Sequence, residues 1–261
     1  MLKVMLDGFL LSMQLLTTIP VTKQVQWDDQ RAKASVAAYP LVGLILGSLL
    51  AVQAYVLIEW TSLSSVIIAA YIMTFSLVYS GGLHVDGWAD FHDAVFSRRD
   101  REKKLAIMKD PQVGTFAVLA VLFLLSWRFL FLYELNTRSF AGLLFALVMI
   151  PMLTRLVMGW HLLLGSFARE DGMAVSLKAV KCKEMKMIYI GWTGLVFLVT
   201  LIFSPLFLSL IIGAGIFLFC WQKWVHFQLG GITGDTIGAG AEGSETVLWG
   251  ILWFLLSFGM V

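Results

Sequence analysis

Apolar residues dominate this chain in runs long enough to cross a bilayer, and short polar stretches divide them. A spanning helix needs about 20 apolar residues. Seven runs approach that length, at about 37–58, 62–80, 113–133, 138–164, 187–203, 205–222 and 245–261. The fourth is long enough to tilt or kink, and Pro151 is the expected kink. Residues 1–19 fit less well, because Lys3, Asp7 and Gln14 interrupt the apolar pattern. They predict a helix that is either amphipathic at the membrane interface or partly inserted. With one basic residue and no small-residue cleavage site before Pro20, they make a poor signal peptide. The prediction is an all-α polytopic bundle forming one integral membrane domain over residues 1–261.

Composition agrees: of 261 residues, 59% are hydrophobic and only 14% charged. Mean hydropathy is +0.84, which outweighs the soluble-domain expectation from length. A net charge of +2 does not imply nucleic acid as a partner. Cys182 and Cys220 have no CxxC spacing, so neither a disulfide framework nor a zinc site follows. Basic residues concentrate in alternate connections, 20–36, 81–112, 165–186 and, more sparsely, 223–244. The connections at 59–61, 134–137 and 204 hold none, with Arg138 at one edge. Seven alternating spans place all the basic connections on one side, expected to be cytoplasmic, and the C-terminus outside.

In so charge-poor a chain, the run Asp86-Gly87-Trp88-Ala89-Asp90-Phe91-His92-Asp93 stands out. On a helix, Asp86, Asp90 and Asp93 fall within about 60° of one another, with Trp88, Phe91 and Val95 opposite. Like charges at this spacing destabilise a bare helix. Three on one face point to a cation among them, against the plainer reading of a solvated acidic face.

A second polar cluster runs from Gly230 to Glu245. Its five glycines between 230 and 240 argue against an ordinary helix there. They suit backbone that packs closely or folds around an anion. The alternative is a flexible loop before a helix whose first turn favours acids. Gly81-Gly82 precedes Asp86 by the same spacing that Gly230-Gly231 precedes Asp235. This echo fits either a parallel internal repeat or chance pairing of glycines.

Arg128 and Arg155 lie within apolar runs, where charge is costly and faces a bundle interior or cavity. Arg155 sits within reach of a submerged polar site and is assigned a functional role. Arg128 lies nearer the outer end and is assigned a structural one, snorkelling to the surface. His84, beside the Gly81-Gly82 turn, is the better histidine candidate for a metal ligand or base, ahead of His92.

The segment Gly81-Gly82-Leu83-His84-Val85-Asp86-Gly87-Trp88-Ala89-Asp90, with Asp93, resembles the signature of the cobalamin synthase family, the adenosylcobinamide-GDP ribazoletransferases. Residues Ile107 to Phe116 are similar to that family's MKDxxxGTFG run, with Ala117 in place of its last glycine. Residues Gly230 to Glu245 resemble its GGxTGDxxGAxxExxE run, and the likeness extends in order over nearly the whole chain. The resemblance implies a magnesium-dependent transferase in the bacterial cytoplasmic membrane. It would join adenosylcobinamide-GDP to α-ribazole or α-ribazole 5′-phosphate on the cytoplasmic side and release GMP.

On that resemblance, Asp86, Asp90, Asp93 and Asp235 are the expected Mg²⁺ ligands, since Mg²⁺ bridges carboxylates to substrate phosphates. One of them, or Glu242, would take the hydroxyl proton, and His84 is a further catalytic candidate. Lys109, Arg155 and Arg169 are candidates for holding phosphate, with Gly230, Gly231 and Thr233 as backbone around it. The two acidic clusters are expected to share one cavity with Arg155 in its wall. A homo-oligomer is compatible with the sequence.

Three other classes compete. A CDP-alcohol phosphotransferase wants Asp-Gly-x-x-Ala-Arg where this chain has Asp-Gly-Trp-Ala-Asp, and a later Gly-x-x-x-Asp-x-x-x-Asp that is missing. An ion-coupled transporter would place its acids within spans, whereas these cluster in connections. A structural subunit would not need two acidic glycine motifs on one side.

Overall fold

A computed structural model describes residues 1–203 and 207–259. The expected connection at 204, the first residues of the 205–222 run and the end of the 245–261 run lie outside the described residues. Twelve α-helices follow in order among those described: α1 (Leu2–Leu16), α2 (Asp29–Ala37), α3 (Tyr39–Trp60), α4 (Ser65–Ser80), α5 (Leu83–Phe96), α6 (Arg101–Ile107), α7 (Thr115–Arg138), α8 (Phe140–Leu164), α9 (Met173–Ser176), α10 (Lys183–Phe203), α11 (Leu208–Leu229) and α12 (Gly234–Ser257). Extended backbone is limited to one isolated parallel bridge, Phe167 with Ile232, among the described residues.

Five helices are long and apolar enough to cross a membrane: α3, α7, α8, α10 and α11. The bent pair α4 and α5 makes a sixth if counted as one span. This multi-pass arrangement differs from seven simple spans at two places. The 62–80 run ends at Ser80, and after a 90° break the chain continues as α5, so the acidic segment is the second limb of a broken helix. The 245–261 run is the far part of α12, whose near part carries Asp235, Glu242 and Glu245 and lowers its apolarity. The 15-residue α1 is not among the five and buries one face, including Met13 and Leu16, against the bundle.

The centre is α8, with Ile150, Leu153, Val157 and Leu162 among its many buried side chains. Its main partner is α3, and small residues permit the approach. A Cβ on Gly47 would lie 2.5 Å from the Leu147 carbonyl, and one on Gly43 would lie 2.3 Å from that of Pro151. Proline at 151 has no N–H to give the carbonyl four residues earlier, and that carbonyl belongs to Leu147, facing Gly47.

The first two helices are anchored by charge. Buried Asp7 accepts from Lys23 Nζ at 2.7 Å and from Arg31 Nε at 3.0 Å. Those two cations hold its carboxyl below the usual carboxylate range. From α10, Tyr189 and Trp192 donate to the carbonyls of Val36 and Ala37, fixing the end of α2. The N-terminal helices thus form one wall of the bundle.

Candidate active site

Two glycine turns build the site. Gly81 and Gly82 both adopt left-handed backbone, with φ of 69° and 72°. Only glycine takes two such residues in succession without strain. The chain turns there from α4 into α5, placing Asp86 in the first turn of the new helix. Gly230, at φ 69°, ends α11 in the same way. Three residues later Thr233 caps α12: its side chain accepts from Thr236 N–H, and Thr236 Oγ1 accepts from Thr233 N–H. Asp235 then occupies the first turn of α12. An acid is favoured at each helix start by the unpaired N–H groups.

The two new helices cross at their glycines. A Cβ on Gly87 would lie 2.6 Å from the Asp235 carbonyl oxygen, and one on Gly238 would lie 3.1 Å from His84 Cα. Glycine therefore stands on both sides of the crossing. This explains why the glycine-rich stretch, against expectation, is helical from Gly234 onward. The helical cost of Gly238, Gly240 and Gly243 is offset by contacts that a side chain would block, with His84, Trp221 and Trp88.

Asp86 and Asp235 consequently line one cavity, with His84 beside them. Asp90 is partly buried, and its pKa is pushed up to about 6, first by burial and then by the charges of Asp86, Asp235 and Asp93. Asp235 is also pushed up by burial, while Arg169 and the Thr233 hydroxyl oppose that rise. The Thr233 hydroxyl donates to the Asp235 carboxylate at 3.3 Å. Asp93 lies against Gly114, where a Cβ would be 2.1 Å from its carboxylate oxygen. The glycine of the 107–116 motif thus leaves room for an acid of the 81–93 motif.

Among the described residues, no group of three His, Cys, Asp or Glu side chains is arranged to hold a metal ion by itself. The donor set nevertheless suits Mg²⁺, which takes one or two carboxylates and completes its shell with water and phosphate oxygens. Four mutually repelling aspartates supply the negative charge that such an ion would balance. Opposite the acidic face, α5 is aromatic. Phe91 is fully buried against Trp221 and Trp224, and Trp88 donates to the Ala120 carbonyl. His92 bonds the Trp88 carbonyl through Nδ1 and packs on the Trp88 ring.

A polar cleft adjoins Asp235 on its other side, lined by Arg169, Asp171, Thr233 and Gly234. Arg169 donates to the Leu105 carbonyl at 2.8 Å, leaving its buried Nε without a partner. Lys109 pairs with Asp171 at 3.1 Å on the exposed rim. The structure therefore brings Asp86, Asp90, Asp93, Asp235, His84, Arg169 and Thr233 together, with Lys109 at the edge.

It does not bring in the others. Glu242 lies deeper along α12, its carboxylate 2.7 Å from Arg128, so a buried cation holds the acid expected to face a hydroxyl. Arg155 lies 3.7 Å from Glu245 in the same cluster, not in the wall of the aspartate cavity. Arg128 does not snorkel: it is 1% exposed and also donates to the Glu242 carbonyl and the Thr246 hydroxyl. Gly230 is packed by the Arg101 guanidinium and Gly231 by backbone of 166–168, so their open sides meet protein. Sequence spacing carried no sign of Arg101, of Gly114 as the seat of Asp93, or of the 171–174 segment that lines the cleft.

The fold and site define a multi-pass helical membrane protein with an acidic cleft where the starts of α5 and α12 cross. The sequence model of the cobalamin-5-phosphate synthase family matches residues 8–253. Curated relatives include the adenosylcobinamide-GDP ribazoletransferase of Halalkalibacterium halodurans, 40% identical over 97% of this chain and 97% of that one. The protein of the same name from Geobacillus sp. strain WCH70 is 42% identical over 98% of each chain. That of Clostridioides difficile is 34% identical over 92% of this chain and 94% of its own. No solved structure matches. The chain belongs to the cobalamin-5-phosphate synthase family.

Proposed function

We propose that this protein is an adenosylcobinamide-GDP ribazoletransferase of the bacterial cytoplasmic membrane, with its cleft on the cytoplasmic side. It joins adenosylcobinamide-GDP to α-ribazole or its 5′-phosphate. The observation that carries this reading is the meeting of Asp86 and Asp235, from distant motifs, in one cavity. The grouping of basic residues around the acidic segments supports the orientation.

In the reaction, a ribazole hydroxyl oxygen attacks the cobinamide-bearing phosphorus. The bond from that phosphorus to the GMP oxygen breaks, and the hydroxyl proton passes to a carboxylate. Asp86, Asp90, Asp93 and Asp235 would hold Mg²⁺, which supplies neutralisation of the diphosphate charge. Arg169, which lines the cleft beside Asp235, is the cation placed to bind a phosphate oxygen. Lys109 attracts the anion at the rim. Whichever of these carboxylates is left free of the ion is placed to take the hydroxyl proton. The crossing of α5 and α12 fixes these groups before substrate arrives, so orientation contributes without rearrangement.

The test is direct. Purified protein given adenosylcobinamide-GDP, α-ribazole 5′-phosphate and Mg²⁺ should release GMP. EDTA should stop release and added Mg²⁺ restore it. Substrates left intact in the complete mixture would refute the assignment.

A further inference from the structure

Neither cavity beside Asp235 can hold a substrate as it stands. The whole cavity containing Asp86 has a volume of about 120 Å³ and the cleft containing Arg169 about 90 Å³. Sites for small molecules run to about 300–1,000 Å³. One short stretch of chain walls both. Met173, Ala174 and Leu177 line the first cavity, and Met173, Ala174 and Val175 line the second. Met173 rests on the start of α12, its Cβ 3.9 Å from where a Cβ on Gly234 would lie. Residues 173–174 and the start of α12 therefore divide Asp86 from Arg169.

That stretch is held firmly at its ends and weakly between them. Before it, backbone hydrogen bonds of 2.6 and 3.0 Å tie 166–168 to Ile232, and Arg169 donates to the Leu105 carbonyl. After it, Val180 is fully buried. Between these anchors, one polar tie joins 170–179 to the rest of the described residues. It is the Lys109 Nζ to Asp171 pair at 3.1 Å, with both side chains more than half exposed. The other hydrogen bonds there close local turns, and only Ala174 and Leu177 are buried. Gly172 has φ 102° and ψ 173°, a region open essentially to glycine alone. A Cβ on Gly172 would meet nothing within 4 Å, so its backbone angles, not lack of space, call for glycine.

Resting on the transferase reading, we propose that residues 170–177 form a lid, shut in this structure, that turns about Gly172 to admit the substrates and is latched by Lys109 and Asp171. Lifting it merges the two cavities into one trough that runs from Asp86 past Asp235 to Arg169. Both reactants then reach the acids from the same side. Weak anchoring suits the task, because lids are drawn from the least stable parts of a fold. The latch also responds to what it admits. An anionic diphosphate competes with Asp171 for Lys109, and by binding the open form better it shifts the lid toward opening.

The experiment reads lid opening and turnover separately, on the full chain in lipid nanodiscs with serine in place of the free Cys182 and Cys220. Ala174→Cys puts a thiol on the buried inner face of the lid, where a maleimide reaches it when the lid lifts. Gly172→Ala strains the shut backbone without touching a neighbour and should speed that alkylation about tenfold. Asp171→Asn removes the latch and should speed it about two- to threefold, the scale of an exposed ion pair. In a second protein, Met173→Cys with Gly234→Cys sets two Cβ atoms 3.9 Å apart, within disulfide geometry. Oxidation should lower GMP release about tenfold or more against the same protein reduced, and reductant should restore it. Unchanged alkylation in either lid variant, or equal release by the oxidised and reduced pair, would overturn the proposal. If Gly172→Ala does not fold, Asp171→Asn decides alone. If the wild type releases no GMP, the transferase reading fails and the alkylation rates still decide the lid.

Discussion

Helix α12 carries acids in two settings that could hardly differ more. At its start, Asp235 joins Asp86, Asp90 and Asp93, with Arg169 as the neighbouring cation. Two turns on, roughly 10 Å along the axis, Glu242 and Glu245 face Arg128 and Arg155 in a buried cluster. The deeper cluster balances its charge within the protein: two carboxylates meet two guanidinium groups. The cleft does not: four carboxylates outnumber the cations beside them. Buried charge that is already paired serves the fold, whereas charge left unbalanced at a cavity awaits something that brings the opposite sign. The contrast separates paired acids from unpaired ones on a single helix.

The largest effect should come from breaking the paired cluster. Arg128→Met leaves Glu242 buried without its closest partner and should cost about 3–5 kcal/mol of stability. Thermal unfolding in detergent measures it, and a variant melting with the wild type would contradict the structural assignment. Changing the cleft should do the reverse. Asp86→Asn should lower GMP release on the order of 100-fold or more while the melting temperature holds or rises, because repulsion is relieved. An equal loss of stability and activity would erase the distinction between the two regions.

Packing at the helix crossing is the next test. Gly87→Ala puts a methyl against the Asp235 backbone and should cost about 1–3 kcal/mol, together with activity, since it pushes the two aspartates apart. Retained activity with a normal melting temperature would show that the crossing yields freely. The smallest effect concerns Asp7, a paired acid far from the cleft. Its pKa is lowered in the fold by Lys23 and Arg31. Its stabilisation is therefore full above the unfolded value of 3.8 and fades as pH falls through the lower folded value. Asp7→Asn should melt earlier than the wild type at pH 7, and the gap should narrow toward pH 3.

The acidic face of α5 was legible because helical spacing alone aligns Asp86, Asp90 and Asp93. The apolar runs were legible because bilayer thickness sets their length. The glycine-rich stretch misled because propensity describes an isolated helix, whereas Gly238 and Gly240 face His84 and Trp221. The partners of Arg128 were hidden for a different reason. Glu242 is more than a hundred residues away, and no local pattern encodes a pairing made only when α7 and α12 meet. The 90° break after Ser80 is written in Gly81-Gly82, but paired glycines alone do not reveal its angle.

The order of synthesis gives the buried cluster a further meaning. Arg128 and Arg155 belong to α7 and α8, which leave the ribosome well before α12 delivers Glu242 and Glu245. Until then each arginine sits in an inserted or inserting helix without its counter-charge, at a cost of about 2.5–3.5 kcal/mol apiece on insertion scales. The half-made protein is thus held in an unfavourable state that its last helix relieves. Arrival of α12 completes the cleft, through Asp235, in the same event that satisfies the arginines. A chain stopped before that helix has neither, so the buried charges are balanced and the cleft is completed together.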